Sequence, residues 1–229
     1  MKNNFDKINL GCGTNVIDGN SWLNVDNSIV AKIRKLPFWH FLIKLLVKYK
    51  LLEEFYLNYP AVKIVDIRKK LPFKDESFKY IYCSQVVEHL HLFQLNQFIN
   101  ECYRILEPDG IIRILTPDLK KVVSLYNENG LIKFKQNDNL STKLMADHVN
   151  LIFYPRSFVS QQKRGLVQRF LDSIPEHHKY IFDFESFKDL SSCSRFSKII
   201  ELETENSIFP NVHELDKYQA ISLQVELTK

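Results

Sequence analysis

The stretch Lys7-Ile8-Asn9-Leu10-Gly11-Cys12-Gly13 decides the fold. A short run that leans apolar enters two glycines one residue apart, which reads as a buried strand breaking into a tight turn. Working outward, Trp22-Leu23-Asn24-Val25 is a second strand that stops at Asp26, and Val62-Lys63-Ile64-Val65 a third that stops at Asp66. Tyr80-Ile81-Tyr82-Cys83 is a fourth, and Ile111-Ile112-Arg113-Ile114-Leu115 a fifth, entered through the turn residues Pro108-Asp109-Gly110. Helix-length segments lie between them. Leu92, Leu95, Phe98, Ile99, Cys102, Ile105 and Leu106 recur at three- and four-residue steps, so 92–106 is a half-buried helix, and 119–126 repeats the pattern after Pro117. Asp183 caps a helix through Phe187 and Leu190, and 198–202 is a strand. The last strand, 220–227, alternates apolar and polar from Ile221 on, as expected of an antiparallel strand with one face in water. Short strands alternating with helices predict an α/β fold, a mostly parallel sheet covered by helices.

Composition bounds the rest. With 229 residues, 45% hydrophobic and 25% charged, the chain is a single folded domain, 1–229. A chain of this length buries about 70% of its unfolded surface and needs no disulfide or metal to fold. A net charge of +4 is too mild to argue for nucleic acid, whose footprint needs basic residues gathered on one face. The four cysteines, Cys12, Cys83, Cys102 and Cys193, form no C-x-x-C pair and read as reduced thiols. The segment 1–7 lacks the apolar region of a signal peptide, and the most apolar stretch, 38–57, is broken by His40, Lys44, Lys48, Lys50, Glu53 and Glu54. A cytoplasmic setting is the expectation.

Two segments fall outside the alternation. The first, 29–59, is aromatic and basic; the second, 127–180, carries Asn, Gln, Ser and histidines. Both are too long for plain connections, and at these places in an α/β sheet they build the rim of a crevice, where an acceptor is selected. Within the first, His40, Lys44 and Lys48 form one polar stripe on a mostly apolar helix beside Trp39, Phe41 and Tyr49. Such a helix can lie on a membrane surface. The plainer reading is a lid or a homodimer helix packed on the crevice.

The strand ends suggest a ligand. Leu10-Gly11-Cys12-Gly13, Asp26 and Asp66 each stand at the carboxyl end of a strand, where open α/β sheets bind ligands. Glycines let the backbone approach a ligand that a Cβ would strike. An ionised Asp26 accepts hydrogen bonds from both hydroxyls of a ribose, and Asp66 from an adenine amine. A dinucleotide needs G-x-G-x-x-G opening a helix with its acidic residue about 20 positions on. Here the third glycine is missing and Asp26 comes only 15 residues after Gly11, leaving little room for a first helix. S-adenosylmethionine, an adenosine cofactor without phosphates, is favoured over NAD. Taken alone, Gly11-Cys12-Gly13 also fits a simple strand-ending turn; the series with the two aspartates carries the reading.

These residues resemble the class I S-adenosylmethionine-dependent methyltransferases. The likeness rests on Ile8 to Gly13, Trp22 to Asp26, Asp66 followed by Leu71-Pro72-Phe73 and Asp75-Glu76-Ser77-Phe78, Ser84 to Leu90, Arg104 to Gly110 and Arg113 to Leu119. It is strongest for a bacterial subgroup found with glycosyltransferases and surface-polysaccharide biosynthesis, to whose C-terminal motif 178–187 is also similar. The resemblance implies a Rossmann-like seven-stranded sheet with the last strand antiparallel, helices on both faces and helical insertions around the crevice. By position, Gly11 and Gly13 would pass beneath the methionine and ribose, Asp26 would hold the ribose, and Asp66 with Ile67 would flank the adenine. Ser84 and Gln85 would line the methionine. Leu10 and Cys12 belong to the same turn. Many members carry an acidic residue where Asn9 stands, contacting the cofactor's ammonium end, and Asn9 can accept a bond there. The implied reaction transfers a methyl group in line from S-adenosylmethionine to an oxygen of a small-molecule or glycan-type acceptor and leaves S-adenosylhomocysteine as product.

Methylation of a hydroxyl needs a base. His89, at the start of the helix after the fourth strand, is the first candidate by position, since an imidazole titrates near neutral pH; it equally caps or packs that helix. His148, Tyr154 and His178 lie in or beside the second insertion and are further candidates, each also readable as a surface or packing residue. His177 next to His178 suggests a metal, yet adjacent ligands diverge and no third stands at metal spacing, so no metal is assigned. The alternative to an enzyme is a methyltransferase-like protein that serves as a non-catalytic partner.

Overall fold

The computed structural model describes residues 5–19, 21–49, 52, 54–128, 149, 152, 178–217 and 219–229. The strands are β1 (Lys7–Leu10), β2 (Trp22–Asp26), β3 (Lys63–Ile64), β4 (Phe78–Ser84), β5 (Leu106–Pro117), β6 (Lys198–Glu201) and β7 (Ser222–Thr228). They form one sheet in the order β3-β2-β1-β4-β5-β7-β6. The pairs from β3 through β5 are parallel, and β7 runs antiparallel to both of its neighbours. The Rossmann-like sheet with an antiparallel last strand is as expected, with β4 and β5 longer and β3 shorter than their apolar runs. β7 begins later than expected, because 219–221 form a 3₁₀ turn.

One face of the sheet is apolar. Ile8 and Leu10, Ile81 and Cys83, Ile112 and Ile114, and Leu223, Val225 and Leu227 line it. Helix α3 (Leu92–Ile105) covers it with Leu95, Phe98, Ile99, Cys102 and Ile105, and the later helix Phe184–Ser191 adds Phe187. Asp183 caps that later helix: its carboxylate accepts from the Ser186 N–H at 2.8 Å, as the sequence predicts. Truncating a ring such as Phe98 here costs about 3–5 kcal/mol.

The opposite face is where the alternation of β7 misleads. Ser222, Gln224 and Glu226 are all buried, not in water. The segment 202–217 covers them, including the short helix Val212–Leu215, and fully buried Arg113 of β5 joins the two. The Arg113 guanidinium donates to Asp216, to Glu226 at 2.7 Å, to Gln224 at 2.6 Å and to the Leu202 carbonyl at 3.3 Å. Trp22, Tyr82, Ile111, Leu115 and Phe209 pack beside this network. A period of two tells which residues share a face, not what covers it.

The first insertion folds as α1 (Ile29–Ile33), α2 (Trp39–Lys48) and a 3₁₀ turn, Glu54–Asn58. These pack through Val30, Ala31, Ile43 and Tyr59 into a cluster of their own. Most of the second insertion, including His148, Tyr154 and His177, lies outside the described residues. Among the described residues, no helix is long and apolar enough to cross a membrane.

Candidate functional site

The parallel register brings the predicted strand ends together. Leu10 pairs with Val25, Val25 with Lys63 and Asp26 with Ile64, so the glycine turn, Asp26 and Asp66 stand on three adjoining strand tips. The N–H groups of Gly11 and Cys12 both donate to the Val25 carbonyl, at 2.9 and 3.0 Å, and this closes the turn. On the other side of β1, Asn9 pairs with Tyr82, which places Ser84 and Gln85 just past the same edge. No helix follows the turn among the described residues of 11–21.

The two glycines serve different ends. Gly11 has φ +72°, and a Cβ there would lie 2.5 Å from Val86 Cγ2. The protein's own Val86 thus already leaves no room for a side chain at 11, a reason for that glycine that the sequence did not show. Gly13, at φ +51°, faces open space where a Cβ would stand. That is the cradle a ligand would fill.

Asp26 is oriented but not saturated. Its Oδ2 accepts from the Tyr59 hydroxyl and from the Ser28 N–H at 3.3 Å. Among the described residues its Oδ1 has no hydrogen-bond donor, so it can accept from a ligand hydroxyl. Burial, with Asp26 as hydrogen-bond partner, holds the Tyr59 hydroxyl protonated well above the usual phenol range, so it stays a donor. Burial and the charge of Asp26 also push the Cys12 thiol up to about 12, making it an inert wall of the turn. Tyr59 is a residue the sequence reading missed: it ends the first insertion and reaches the second strand's tip.

Asp66 does not stand open as expected. Its oxygens accept from Arg68 Nε and Nη2, each at 2.8 Å, and from the Arg68 N–H at 3.1 Å. The Arg68 side chain holds the carboxyl below the usual range. A carboxylate offers about four lone-pair sites, so one stays available to an amine. Ile67 is half-buried against the core, and Leu10 is fully buried in it, so Leu10 reaches the crevice only through its backbone.

Asn9 is turned to a structural task. Its Nδ2 donates to the Asn15 carbonyl at 2.9 Å and to Asn24 Oδ1 at 3.1 Å, while Asn24 clamps Ile17 through both its N–H and carbonyl. These bonds pin the loop that stands in place of a first helix. Gln85, held at φ +57°, donates from Nε2 to Ser222 Oγ at 3.0 Å. Such strained backbone persists where surrounding structure fixes it, often at a site.

Past β4, the 3₁₀ turn Val87–His89 leads into α3. Here the structure joins two candidates from distant parts of the chain: the rings of His89 and His178 meet edge to face, their centroids 4.8 Å apart. The N–H groups of Lys179 and Tyr180 donate to the Glu88 carbonyl, at 2.7 and 3.3 Å, and dock the His178 segment onto this turn. Glu88 itself, missed by the sequence reading, is fully buried between them. Its Oε2 accepts from Thr116 Oγ1 at 3.2 Å, and burial pushes its carboxyl up to about 8. The sequence signal was a lone acid inside the apolar run Val86-Val87-Glu88.

Comparison with known proteins follows the same lines. Residues 47–114 match the family model described as Methyltransferase domain, a span that holds Asp66, Ser84, Gln85, Glu88 and His89 but not the glycine turn or Asp26. Over 65 residues the chain is 40% identical to a Mycolicibacterium smegmatis protein described as "Probable S-adenosylmethionine-dependent methyltransferase"; the aligned stretch is 27% of this chain and 23% of that protein. The chain thus matches about a quarter of that relative's length. Similar solved structures include a SAM dependent methyltransferase from Archaeoglobus fulgidus, with TM-score 0.49 and 15% identity, covering 100% of this chain and 87% of that one. Another is an S-adenosylmethionine dependent methyltransferase from Mesorhizobium loti, with TM-score 0.46 and 13% identity, covering 100% and 92%.

Proposed function

We propose that this chain is an S-adenosylmethionine-dependent methyltransferase that modifies an oxygen of a small-molecule or glycan-type acceptor. The observation that carries the reading is the convergence of the Gly11–Gly13 turn, Asp26 and Asp66 on adjoining strand tips, with Asp26 Oδ1 unspent and Gly13 facing open space. Asp26 would hold the ribose hydroxyls, Asp66 and Ile67 the adenine, and the turn with Ser84 and Gln85 the methionine. The cofactor supplies a methyl group on a sulfonium, whose sulfur leaves as a neutral thioether. The protein's part is to set acceptor and methyl in line, and such positioning is worth about 7–11 kcal/mol at best. The acceptor's proton would leave toward the His89 and His178 imidazoles, which share one wall past β4.

Calorimetric titration with S-adenosylhomocysteine tests this reading. Saturable binding is expected, and its absence would favour the second reading, a methyltransferase-like partner protein. That reading draws support from Arg68 and Tyr59, which already engage the two aspartates. If His89→Ala keeps full turnover on an identified acceptor, the proton goes elsewhere.

The outer side of α2 supports a further part of the proposal, peripheral contact with an anionic lipid surface. Phe38, Phe41, Leu45 and Tyr49 are exposed at helical spacing, beside the stripe His40, Lys44 and Lys48, while Ile43 faces the protein. Co-sedimentation with anionic but not neutral vesicles is expected. A concentration-dependent dimer that buries this face, without vesicle binding, would overturn it.

A further inference from the structure

We propose that Glu88, His89 and His178 form a binding site for a divalent transition-metal ion of the zinc type, on the acceptor side of the crevice. One ligand atom from each of the three lies within 4.8 Å of the others. Glu88 Oε1 and His178 Nε2 are 3.9 Å apart. Ligands bound at zinc distances stand about 3–3.5 Å from one another, so small side-chain rotations close the set around an ion.

A second observation points to a ligand. Glu88 is 0% exposed, and its Oε1 has no hydrogen-bond partner among the described residues. A buried carboxylate oxygen left in this state is costly, and a bound cation relieves the cost. The other oxygen is held by Thr116, the kind of outer hydrogen bond that fixes a metal ligand's orientation. Two imidazoles and one carboxylate suit zinc, cobalt or iron rather than magnesium, and they leave a coordination position open. In sequence, His177 and His178 show no metal spacing; in the structure His178 instead meets Glu88 and His89, because its segment docks on the Glu88 carbonyl. The closeness of one atom from each of the three shows that the adjacent pair Glu88 and His89 does not diverge here.

What the ion would do rests on the methyl-transfer reading: in the metal-loaded protein it would hold the acceptor's oxygen and acidify its hydroxyl, the proton passing to solvent water as the oxygen takes the methyl. The two imidazoles would then be ligands, their role as proton acceptors belonging to the metal-free protein.

The test is a titration of the chelator-stripped 229-residue chain with Co2+, followed by its visible absorption, and with Zn2+ in competition. One equivalent per chain is expected, with Mg2+ failing to compete. Glu88→Gln and His178→Ala should each weaken Co2+ binding at least 30-fold, while His213→Ala, on the surface, leaves it unchanged. Circular dichroism checks folding, and if Glu88→Gln fails to fold, His178→Ala and His89→Ala decide. No saturable Co2+ uptake by the wild-type protein, or uptake that survives in the folded variants, overturns the proposal; a plain Glu88–His178 ion pair gives the first of these results. S-adenosylhomocysteine binding is measured on the same samples. Co2+ uptake without it would remove the methyl-transfer reading and leave the metal site standing.

Discussion

Asp66 and Glu88 are carboxylates of the two proposed halves of the site, cofactor and acceptor, and their surroundings move them in opposite directions. Asp66 sits at a strand tip within reach of solvent, gripped by the Arg68 guanidinium and held low. Glu88 is enclosed, accepts one hydroxyl and is pushed up by burial. Each aspartate of the proposed cofactor half has a partner close in sequence, Arg68 and Ser28 standing two residues beyond the aspartate they bind, although Asp26 also accepts from the distant Tyr59. The acceptor half is assembled from the end of β4, from Thr116 on β5 and from the 178–180 segment. Local contacts stabilise charge where water still helps. Burial without a close cation favours the neutral acid instead.

The largest effect expected in the cofactor half is from Asp26→Ala, which removes the acceptor for the ribose diol. Calorimetry should show S-adenosylhomocysteine affinity falling at least 100-fold, with the melting curve nearly unchanged; near wild-type affinity would mean that the ribose lies elsewhere. Gly11→Ala should come next, as a stability defect of about 1–3 kcal/mol from backbone strain and the collision with Val86. Adding Val86→Ala should recover part of it. A Gly11→Ala chain that melts normally and loses only ligand binding would restore the idea that a ligand excludes the side chain.

Arg68→Ala sharpens the contrast between the two acids. The folded pKa of Asp66 lies below its unfolded value, so its ionised contribution is present above the ordinary carboxylate range and is lost as pH falls through the lowered value. Without Arg68 that loss moves to higher pH. The acid limb of S-adenosylhomocysteine binding, followed around pH 4–5, should shift upward, and superimposable limbs would show that Asp66 does not touch the ligand. The smallest effect is that of Asp183→Ala, which removes a helix cap behind the His178 segment. It should cost about 1 kcal/mol in thermal stability and leave cofactor binding as it was.

The residues of the proposed cofactor half were largely legible in the sequence. The glycine turn, Asp26 and Asp66 each follow directly on a strand, and parallel register aligns strand ends without further information. Their partners were less legible. Tyr59 reaches Asp26 from the end of an insertion, and Arg68, which no motif singled out, forks onto Asp66. In the acceptor half, His89 and His178 were separate candidates, and Glu88 was passed over, because nothing in the spacing says that residue 178 returns to residue 88.

The sequence by itself determined the sheet, since period-two and period-3.6 patterns report which residues share a face and glycines report where a chain must turn. Only the tertiary structure decided what each face meets. The polar side of β7 reads as solvated, yet Arg113 and the 202–217 segment bury it, and the lone acid in an apolar run becomes the centre of a histidine cluster. The reason is physical: periodicity is set by local backbone geometry, whereas burial and charge pairing depend on groups that only folding brings near.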